Sequence, residues 1–420
     1  MIAYNSKSLK YWEIFLYSLF AYFLFGIAHS YVWENSKFFQ ALQGACCIFL
    51  VYSYLQIPKK LILKGFPLFC YLCYLIVCLI TLLRWPFTPM QIPAKFLLLS
   101  SSYMWPYLLP FLLFIKWDMS MIAKFYHVLL LYCIFSFIFC IVNYKDFYMN
   151  SSLLFYSMIG FDSFVIVRPQ IPLEKLFPLS FFAFYFVRWN RNLKVLYVIT
   201  FLLALVAALM MGRRSCAAIG VGMLMISILL NFNKKSAIKC FGGICVVFIL
   251  YSLSNYNFDI SLLDNTFQVL FGRIDQDTRS GTEIDFYKNF TAIDWLVGRG
   301  VNGTYRSLAV SDIDRLQRFV CETGYLNFIL HGGVVLLVPY LFLLLNSIFK
   351  GLKKANNSFP RCCSLYLLYS IVLLYPGGFP ALSMTGVLQW LCIYVCQSTR
   401  IREMSEDNFV KSMNFEKIWK

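Results

Sequence analysis

Long apolar runs, separated by short polar segments, occupy most of the sequence. Most of these runs reach the roughly 20 residues that a helix needs to cross a bilayer, and together they predict about twelve transmembrane helices. The first run follows two lysines, as a signal peptide does, but it lacks a small-residue cleavage site and is interpreted as a retained membrane anchor. The predicted spans are residues 12–33, 38–57, 65–85, 95–115, 121–144, 175–189, 194–212, 215–231, 238–254, 320–349, 362–379 and 382–398.

Two of the segments between the runs are long and polar, residues 145–174 and 255–319. The second, extended to Glu322, holds half of the 20 acidic residues of the chain. Long polar loops on a rigid scaffold are common places for binding and catalysis. The predicted fold class is therefore an all-α polytopic membrane protein with two long outer loops.

Part of the larger loop has a helical pattern, over residues 280–297. Apolar side chains recur there at intervals of three and four residues from Phe286 onward, and Gly298 then ends the pattern. Glu283 is interpreted as part of the N-terminal cap of this helix. The larger loop is thus predicted to be partly helical, with an apolar face on the membrane or on the helix bundle.

The distribution of lysine and arginine predicts the orientation. With the N-terminus inside, the cytoplasmic segments hold 22 of the 37 basic residues, whereas the short outer segments hold 8 and the large loop 7. This asymmetry is what the positive-inside rule describes. Both termini, including a tail at residues 399–420, are predicted to be cytoplasmic, and the two long loops to lie on the outer side of the membrane.

Composition excludes several classes of protein. The chain is 60% hydrophobic and only 14% charged, whereas soluble domains are about 25% charged. A soluble enzyme, a disordered chain and a nucleic-acid-binding domain are therefore excluded, and the net charge of +17 is explained largely by membrane orientation. Nearly all of the 15 cysteines lie in apolar runs, which argues against a disulfide framework.

Outward-facing arginines are the main candidates for ligand binding. Arg213 and Arg214 form most of the outer connection between the seventh and eighth predicted spans, either as interfacial anchors or as a phosphate-binding pair. Arg168 lies in the first long loop, and Arg279 and Arg299 lie in the second. Because arginine forks bind phosphate through paired hydrogen bonds, the cluster predicts an anionic headgroup, in particular a lipid-linked diphosphate.

Glu322 is the candidate acidic residue. It stands at the start of the tenth predicted span, and a carboxylate entering hydrocarbon is costly unless it faces a cavity or a cation. His331 lies on the opposite side of the same helix and is interpreted as a histidine buried in a pore or in the core. The sequence has no H-E-x-x-H, P-loop, G-x-S-x-G or Asp-rich metal motif, so we expect chemistry without a metal or other cofactor.

Three short motifs follow one another in the second half of the chain. They are Gly212-Arg213-Arg214-Ser215, the stretch from Arg279 through Trp295 to Gly298-Arg299-Gly300, and Glu322-Thr323-Gly324-Tyr325-Leu326 followed by Gly332-Gly333. With the predicted spans and loops, this order resembles the O-antigen polymerase and O-antigen ligase family of bacterial polysaccharide assembly. The resemblance covers the whole chain as architecture and is most specific over residues 212–340.

The resemblance implies inverting glycosyl transfer between undecaprenyl-diphosphate-linked glycans, one the donor and one the acceptor. Arg213, Arg214 and Arg279, with Arg168 and Arg299, would hold the diphosphate and stabilise its charge as it leaves. Glu322 would accept the proton of the attacking hydroxyl, which makes Glu322 and Arg279 the expected catalytic residues. A chain-length regulator and a flippase of the same pathway are the expected protein partners.

Two aromatic residues of the larger loop, Tyr287 and Trp295, either stack on sugars or anchor the loop at the membrane. Members of the family that act as ligases commonly carry a His-Asn-like pair where this chain has Glu322 and Thr323, a departure that favours a polymerase of O-antigen, capsule or exopolysaccharide. A ligase, a lipid-linked oligosaccharide flippase or other transporter, and a non-catalytic scaffold remain alternatives. A flippase is disfavoured because the predicted spans carry few charges and no internal repeat is evident.

Overall fold

The computed structural model of the protein is mostly helical, as the apolar runs predict. It describes residues 6–31, 37–85, 98–142, 199, 201–202, 205, 220–222, 280–308, 317–321, 323–375 and 381–413. The chain forms two compact units, Met1–Leu129 with Asp277–Lys420, and Leu130–Gln276. Most of the second unit, including the predicted loop at 145–174 and the four predicted spans between 175 and 254, lies outside the described residues.

Four of the first five predicted spans, the first, second, third and fifth, coincide with helices of the structure. In chain order they are α1 (Ser6–Tyr31), α2 (Lys37–Gln56), α3 (Phe66–Leu83), α4 (Trp105–Leu108), α5 (Met119–Val142), α6 (Ser280–Asn289), α7 (Ala292–Val297), β1 (Tyr305–Arg306), β2 (Gln317–Arg318), α8 (Gly324–Lys353), α9 (Ser358–Val372), α10 (Met384–Gln397), α11 (Thr399–Glu403) and α12 (Glu406–Met413).

Among the described residues, five helices are long and apolar enough to cross a membrane: α1, α2, α3, α5 and α8. They make the chain a multi-pass membrane protein by length and composition. The apolar helix α10 is shorter, with 14 residues, and α9 has 15. The predicted fold class, an all-α membrane protein, is therefore supported, whereas the number of about twelve spans stays a prediction.

One predicted span is wrong as a continuous helix. Over residues 95–115 the described chain is non-helical at 100–104, then forms the four-residue α4 and a 3₁₀ helix, Leu109–Phe114. Pro106 and Pro110 lie in these two short helices and each lacks the backbone N–H that a regular α-helix requires. Mean apolarity over 20 residues could not reveal this interruption.

Helix α8 is the centre of the first unit. It packs against α3, α9 and α10, and its Tyr340 stacks on Phe328 with ring centroids 4.8 Å apart and meets Tyr74 of α3 at 5.4 Å. Gln389 of α10 donates a hydrogen bond to the Tyr340 hydroxyl, which satisfies a polar group that is buried in an apolar bundle. These contacts fix the bundle on which the outer loop rests.

One end of this unit, here called the basic end, carries Lys60 and Lys116 on two segments whose backbones are hydrogen-bonded to each other. The Lys60 N–H donates to the Phe114 carbonyl at 2.6 Å, and the Lys116 N–H donates to the Pro58 carbonyl at 3.2 Å. Nearby, the Trp12 indole N–H donates to the Met121 carbonyl at 2.8 Å. The segments that the positive-inside rule assigns to one side of the membrane thus meet in the structure.

The predicted tail at 399–420 is folded over the described residues 399–413. Asn357, which caps α9, donates through its side chain to the carbonyls of Ile401 and Met404 at 2.7 and 2.9 Å. Phe409 is fully buried and stacks on Phe359 with centroids 4.9 Å apart. Helices α11 and α12 therefore cover the connection between α8 and α9.

Candidate functional site

The described part of the larger loop folds around a single phenylalanine. Phe286 of α6 is fully buried, stacks on Phe290 with centroids 4.0 Å apart, and meets Tyr305 of β1 edge to face at 5.2 Å. Leu326 and Leu330 of α8 belong to the same apolar cluster. The helical pattern predicted over 280–297 is confirmed as two helices, α6 and α7, which are separated where Thr291 caps α7 through a reciprocal pair of hydrogen bonds with Asp294.

Glycines join this loop module to the membrane helix. Helix α8 is interrupted at Gly333, whose φ of 69° is in the left-handed region. The carbonyls of Leu330 and His331, just before the interruption, accept hydrogen bonds from the Arg299 and Gly300 N–H groups at 2.7 and 2.9 Å. The loop backbone thus supplies hydrogen bonds that an uninterrupted helix would make internally.

The approach is so close that side chains are excluded. A β-carbon on Gly298, with φ of 62°, would overlap the backbone of His331 and Gly332, and one on Gly333 would overlap the Leu296 carbonyl. The Gly298-Arg299-Gly300 and Gly332-Gly333 motifs, which 31 residues separate in the sequence, are therefore the two halves of one backbone contact. His331 joins it, with Nδ1 at 3.0 Å from the Gly300 carbonyl oxygen, in agreement with a core role.

Arg299 is held inside the module by several acceptors. Its guanidinium donates to the Thr304 carbonyl at 2.7 Å and the Asn289 carbonyl at 2.5 Å, and forms a 2.8 Å ion pair with Asp294. It also lies over the Phe290 ring, 4.5 Å from the centroid. These contacts give Arg299 a structural role, so the predicted role in binding a diphosphate is not needed to explain its presence.

The carboxylate that pairs with Arg299 has a shifted pKa. Burial raises the pKa of Asp294, but hydrogen bonds from Arg299 and Thr291 favour the ionised form and leave the pKa below its ordinary value. Asp294 is therefore a stable anion that closes α7 and holds Arg299, and it is not a candidate general base.

A residue that sequence reasoning did not single out connects the loop to the bundle. Arg84, which follows the C-terminal end of α3, donates from Nη1 to the Val297 carbonyl at 2.8 Å and from Nη2 to the Gly298 carbonyl at 2.9 Å. Beside it, the Asn302 side chain donates to the Trp85 carbonyl at 3.3 Å. In the sequence, Arg84 falls on the side of the membrane where the positive-inside rule disfavours basic residues. That position, and the forked donors of its guanidinium, are the sequence features that point to a role in binding.

The two aromatic residues predicted to bind sugars lie together on the surface of the module. Tyr287 and Trp295 stack with centroids 5.8 Å apart and an interplanar angle of 10°. Tyr287 is 46% exposed, and it interacts through its hydroxyl with Tyr325, which in turn stacks on the exposed Tyr375 at 6.4 Å. These four rings, Tyr287, Trp295, Tyr325 and Tyr375, are here called the aromatic surface.

A carboxylate lies at the edge of the aromatic surface. Glu283 precedes Tyr287 by one helical turn, so both face the same side of α6. Its Oε1 accepts a hydrogen bond from the hydroxyl of Thr323, the buried residue that precedes α8. The cap interpretation of Glu283 is thus incomplete, since its side chain reaches across to α8. In the sequence, the i, i+4 spacing of Glu283 and Tyr287 on a helical pattern already indicates that the two side chains share a face.

The remaining predicted site residues are not described. Glu322 lies outside the described residues, although both of its chain neighbours, Cys321 and Thr323, are buried, and the Cys321 N–H donates to the Asn327 side chain at 2.7 Å. Four arginines of the predicted site also lie outside the described residues: Arg168, Arg213, Arg214 and Arg279. Their predicted roles stay predictions. Over the described ranges, no cluster of three histidine, cysteine, aspartate or glutamate side chains has the arrangement of a metal site.

Comparisons with protein-family models, with curated proteins and with solved structures find no match to this chain. The resemblance to a family therefore stays a prediction from the order of the sequence motifs.

Proposed function

We propose that the protein is a membrane glycosyltransferase that polymerises undecaprenyl-diphosphate-linked oligosaccharide repeat units, and that the loop module with its aromatic surface binds the glycan. The observation that carries the proposal is the aromatic surface with Glu283 beside it, built on a loop that is anchored to the ends of membrane helices. Such a site can receive a sugar chain whose lipid anchor stays in the bilayer.

The chemistry of the surface suits a glycan. Pyranose rings present apolar C–H faces, which pack on flat aromatic rings, and hydroxyls, which need hydrogen-bond acceptors. Tyr287 and Trp295 have nearly parallel rings and supply the flat aromatic surface. Glu283 supplies the hydrogen-bond acceptor. A carboxylate has about four lone-pair positions, so the bond from Thr323 leaves Glu283 able to accept a sugar hydroxyl.

The proposed reaction needs no metal. The hydroxyl of the acceptor sugar attacks the anomeric carbon of the donor glycan, the bond to the diphosphate breaks, and the undecaprenyl diphosphate leaves with the electron pair. In this proposal a carboxylate takes the hydroxyl proton, and arginines stabilise the negative charge that grows on the diphosphate. Glu322 remains the proposed base, and Arg279, adjacent in sequence to the first residue of α6, with Arg213, Arg214 and Arg168 the proposed diphosphate ligands.

A deletion strain tests the assignment. We expect loss of the gene to leave single repeat units exported and attached to their normal carrier, with no long-chain polysaccharide on gels. Arg279→Ala should reproduce this pattern with normal protein level in the membrane. Loss of all exported repeat units would instead indicate a flippase, and wild-type chain length in both strains would overturn the proposal.

A double variant tests the aromatic surface itself. Trp295 is half-buried and also packs on Phe286 and Phe290, so the variant that keeps the core is Tyr287→Ala with Trp295→Phe. It removes the exposed ring and narrows the second one, and we expect shortened chains from a folded protein. The matched control is Leu296→Ala, which removes an exposed apolar side chain from the same helix as Trp295. If the control shortens chains as strongly as the double variant, the surface contacts the membrane and not the glycan.

A further inference from the structure

An apolar cavity lies between α1, α2 and the segment of α4 and the 3₁₀ helix. Its volume is about 260 Å³, and it is lined by side chains such as Leu50, Val51 and Tyr54 of α2 and Leu108 and Phe111 of the facing segment. Apolar cavities of about 150 Å³ already bind benzene, so this one can hold part of a hydrocarbon chain. Its exposed members show that it opens sideways toward the surrounding membrane, since Val51 is 45% exposed.

The cavity ends beside the lysines of the basic end. The Lys59 ammonium lies 3.8 Å from the centroid of the Tyr54 ring, which lines the cavity, and donates to the Ile57 carbonyl at 2.8 Å. Lys60 and Lys116 are exposed on the paired backbone next to it. Among the described residues, no carboxylate lies within ion-pair distance of these three lysines.

We propose that this cavity and the lysines at its end, Lys59, Lys60 and Lys116, form a binding site for an anionic phospholipid, with one acyl chain in the cavity and the phosphate at the lysines. The site is independent of the proposed function, because it lies at the opposite end of the bundle from the aromatic surface.

Both parts of the site favour an anionic diacyl lipid over other occupants. A lysine near an anionic headgroup contributes about 1 kcal/mol of attraction, which converts to a factor of roughly five in affinity. Burial lowers the pKa of Lys59 to about 8, and a phosphate beside the ammonium would favour its charged form. A zwitterionic lipid fits the cavity equally well but adds no net negative charge there.

Photolabelling tests the site with the full-length protein. The protein is reconstituted in phosphatidylcholine nanodiscs that contain a trace of phosphatidylglycerol with a diazirine on its acyl chain, and the labelled peptides are mapped after illumination. We expect label on the peptides that contain Val51 and Leu108. Unlabelled phosphatidylglycerol should compete about tenfold better than phosphatidylcholine or free glycerol phosphate.

Two variants separate the parts of the site. Lys59→Gln, Lys60→Gln and Lys116→Gln together should abolish the about tenfold preference for phosphatidylglycerol. Leu108→Trp should fill the cavity and remove the label. The controls are Lys353→Gln, another lysine of the basic end, and Ile76→Trp, which adds the same bulk on an exposed face of α3.

The wild-type competition decides the proposal even where a variant fails to fold. Equal competition by phosphatidylcholine would overturn the role of the lysines. Equal competition by glycerol phosphate alone would overturn the role of the cavity. Label spread evenly over the apolar helices would show that no specific site exists.

Discussion

At the scale of single residues, glycines and one arginine decide how the larger loop rests on the membrane helices. Gly298 and Gly333 let two backbones touch, and Arg84 holds the resulting turn through two carbonyls. These contacts act beside the apolar cluster that Phe286 forms with Leu326 and Leu330 of α8, so a small change of shape at this point should loosen the loop on the bundle and leave the spans intact.

Gly333→Ala should therefore be strongly destabilising for the loop. The added β-carbon meets the Leu296 carbonyl, and φ of 69° strains any side chain. We expect a loss on the order of 2–4 kcal/mol, seen as faster proteolysis of residues 280–308 in detergent. Gly44→Ala is the control, because the nearest atom to its new β-carbon is 3.7 Å away. Equal proteolysis of the two variants would contradict the described contact.

The lowered pKa of Asp294 predicts that the stability of the same loop depends on pH. Since the folded pKa of Asp294 is depressed, its ion pair with Arg299 stabilises the loop above the unfolded pKa of about 4, and that contribution is lost as pH falls through the folded pKa. The protection of residues 292–303 against hydrogen exchange, taken relative to the intrinsic exchange rate at each pH, should fall below about pH 4 in the wild type. Asp294→Asn should make exchange faster at neutral pH and flatten its pH dependence, whereas the exposed Asp407→Asn should leave both unchanged.

At the scale of elements, the outcome of prediction differs between α1–α3 and the helices around the site. The first three predicted spans agree with α1, α2 and α3 to within a few residues at most of their ends, because apolar length is a property that sequence windows measure directly. The break of α8 at Gly333 and the 3₁₀ helix at Leu109–Phe114 depend instead on hydrogen bonds to distant segments and on proline, which such windows average out.

In the candidate site, the sequence likewise predicts which residue types are present but not which contacts they make. The residue types of Tyr287 and Trp295 predict a role in binding sugars or in anchoring the loop, whereas their stacking on each other is seen only in the structure. The partners of Arg299 were not predictable, because Asn289, Asp294 and Thr304 converge on it only once α6, α7 and β1 have folded together. An arginine in a loop reads the same in sequence whether it binds a ligand or its own backbone.

The tail also shows a contact that the sequence left open. Phe409 of α12 is fully buried on Phe359, so Phe409→Ala should destabilise the basic end by about 3 kcal/mol. Thermal unfolding in detergent, followed by accessibility of Cys362 and Cys363, measures this loss. Asn408→Ala, at an exposed neighbouring position, is the control, and equal melting of the two variants would show that α12 does not dock.

At the scale of the whole molecule, the first unit separates two chemistries onto opposite ends. One end presents exposed lysines and the folded tail, and the other presents the loop module with its aromatic surface. The charge rule assigns the first end to the cytoplasm and the second to the periplasm. Both proposals depend on this assignment, since a glycan exported on its lipid is met only outside, and the proposed phospholipid site belongs to the inner leaflet.

Single introduced cysteines test the orientation in cells. Lys288→Cys lies on α6 at an exposed position next to the aromatic surface, and Lys353→Cys lies near the end of α8 at the basic end. A membrane-impermeant maleimide should label Lys288→Cys in intact spheroplasts and Lys353→Cys only after lysis, each measured against the wild-type background of native cysteines. The reverse pattern would place the aromatic surface in the cytoplasm, where a polymerase of exported repeat units cannot act, and would leave the anionic lipid site in the outer leaflet of that membrane.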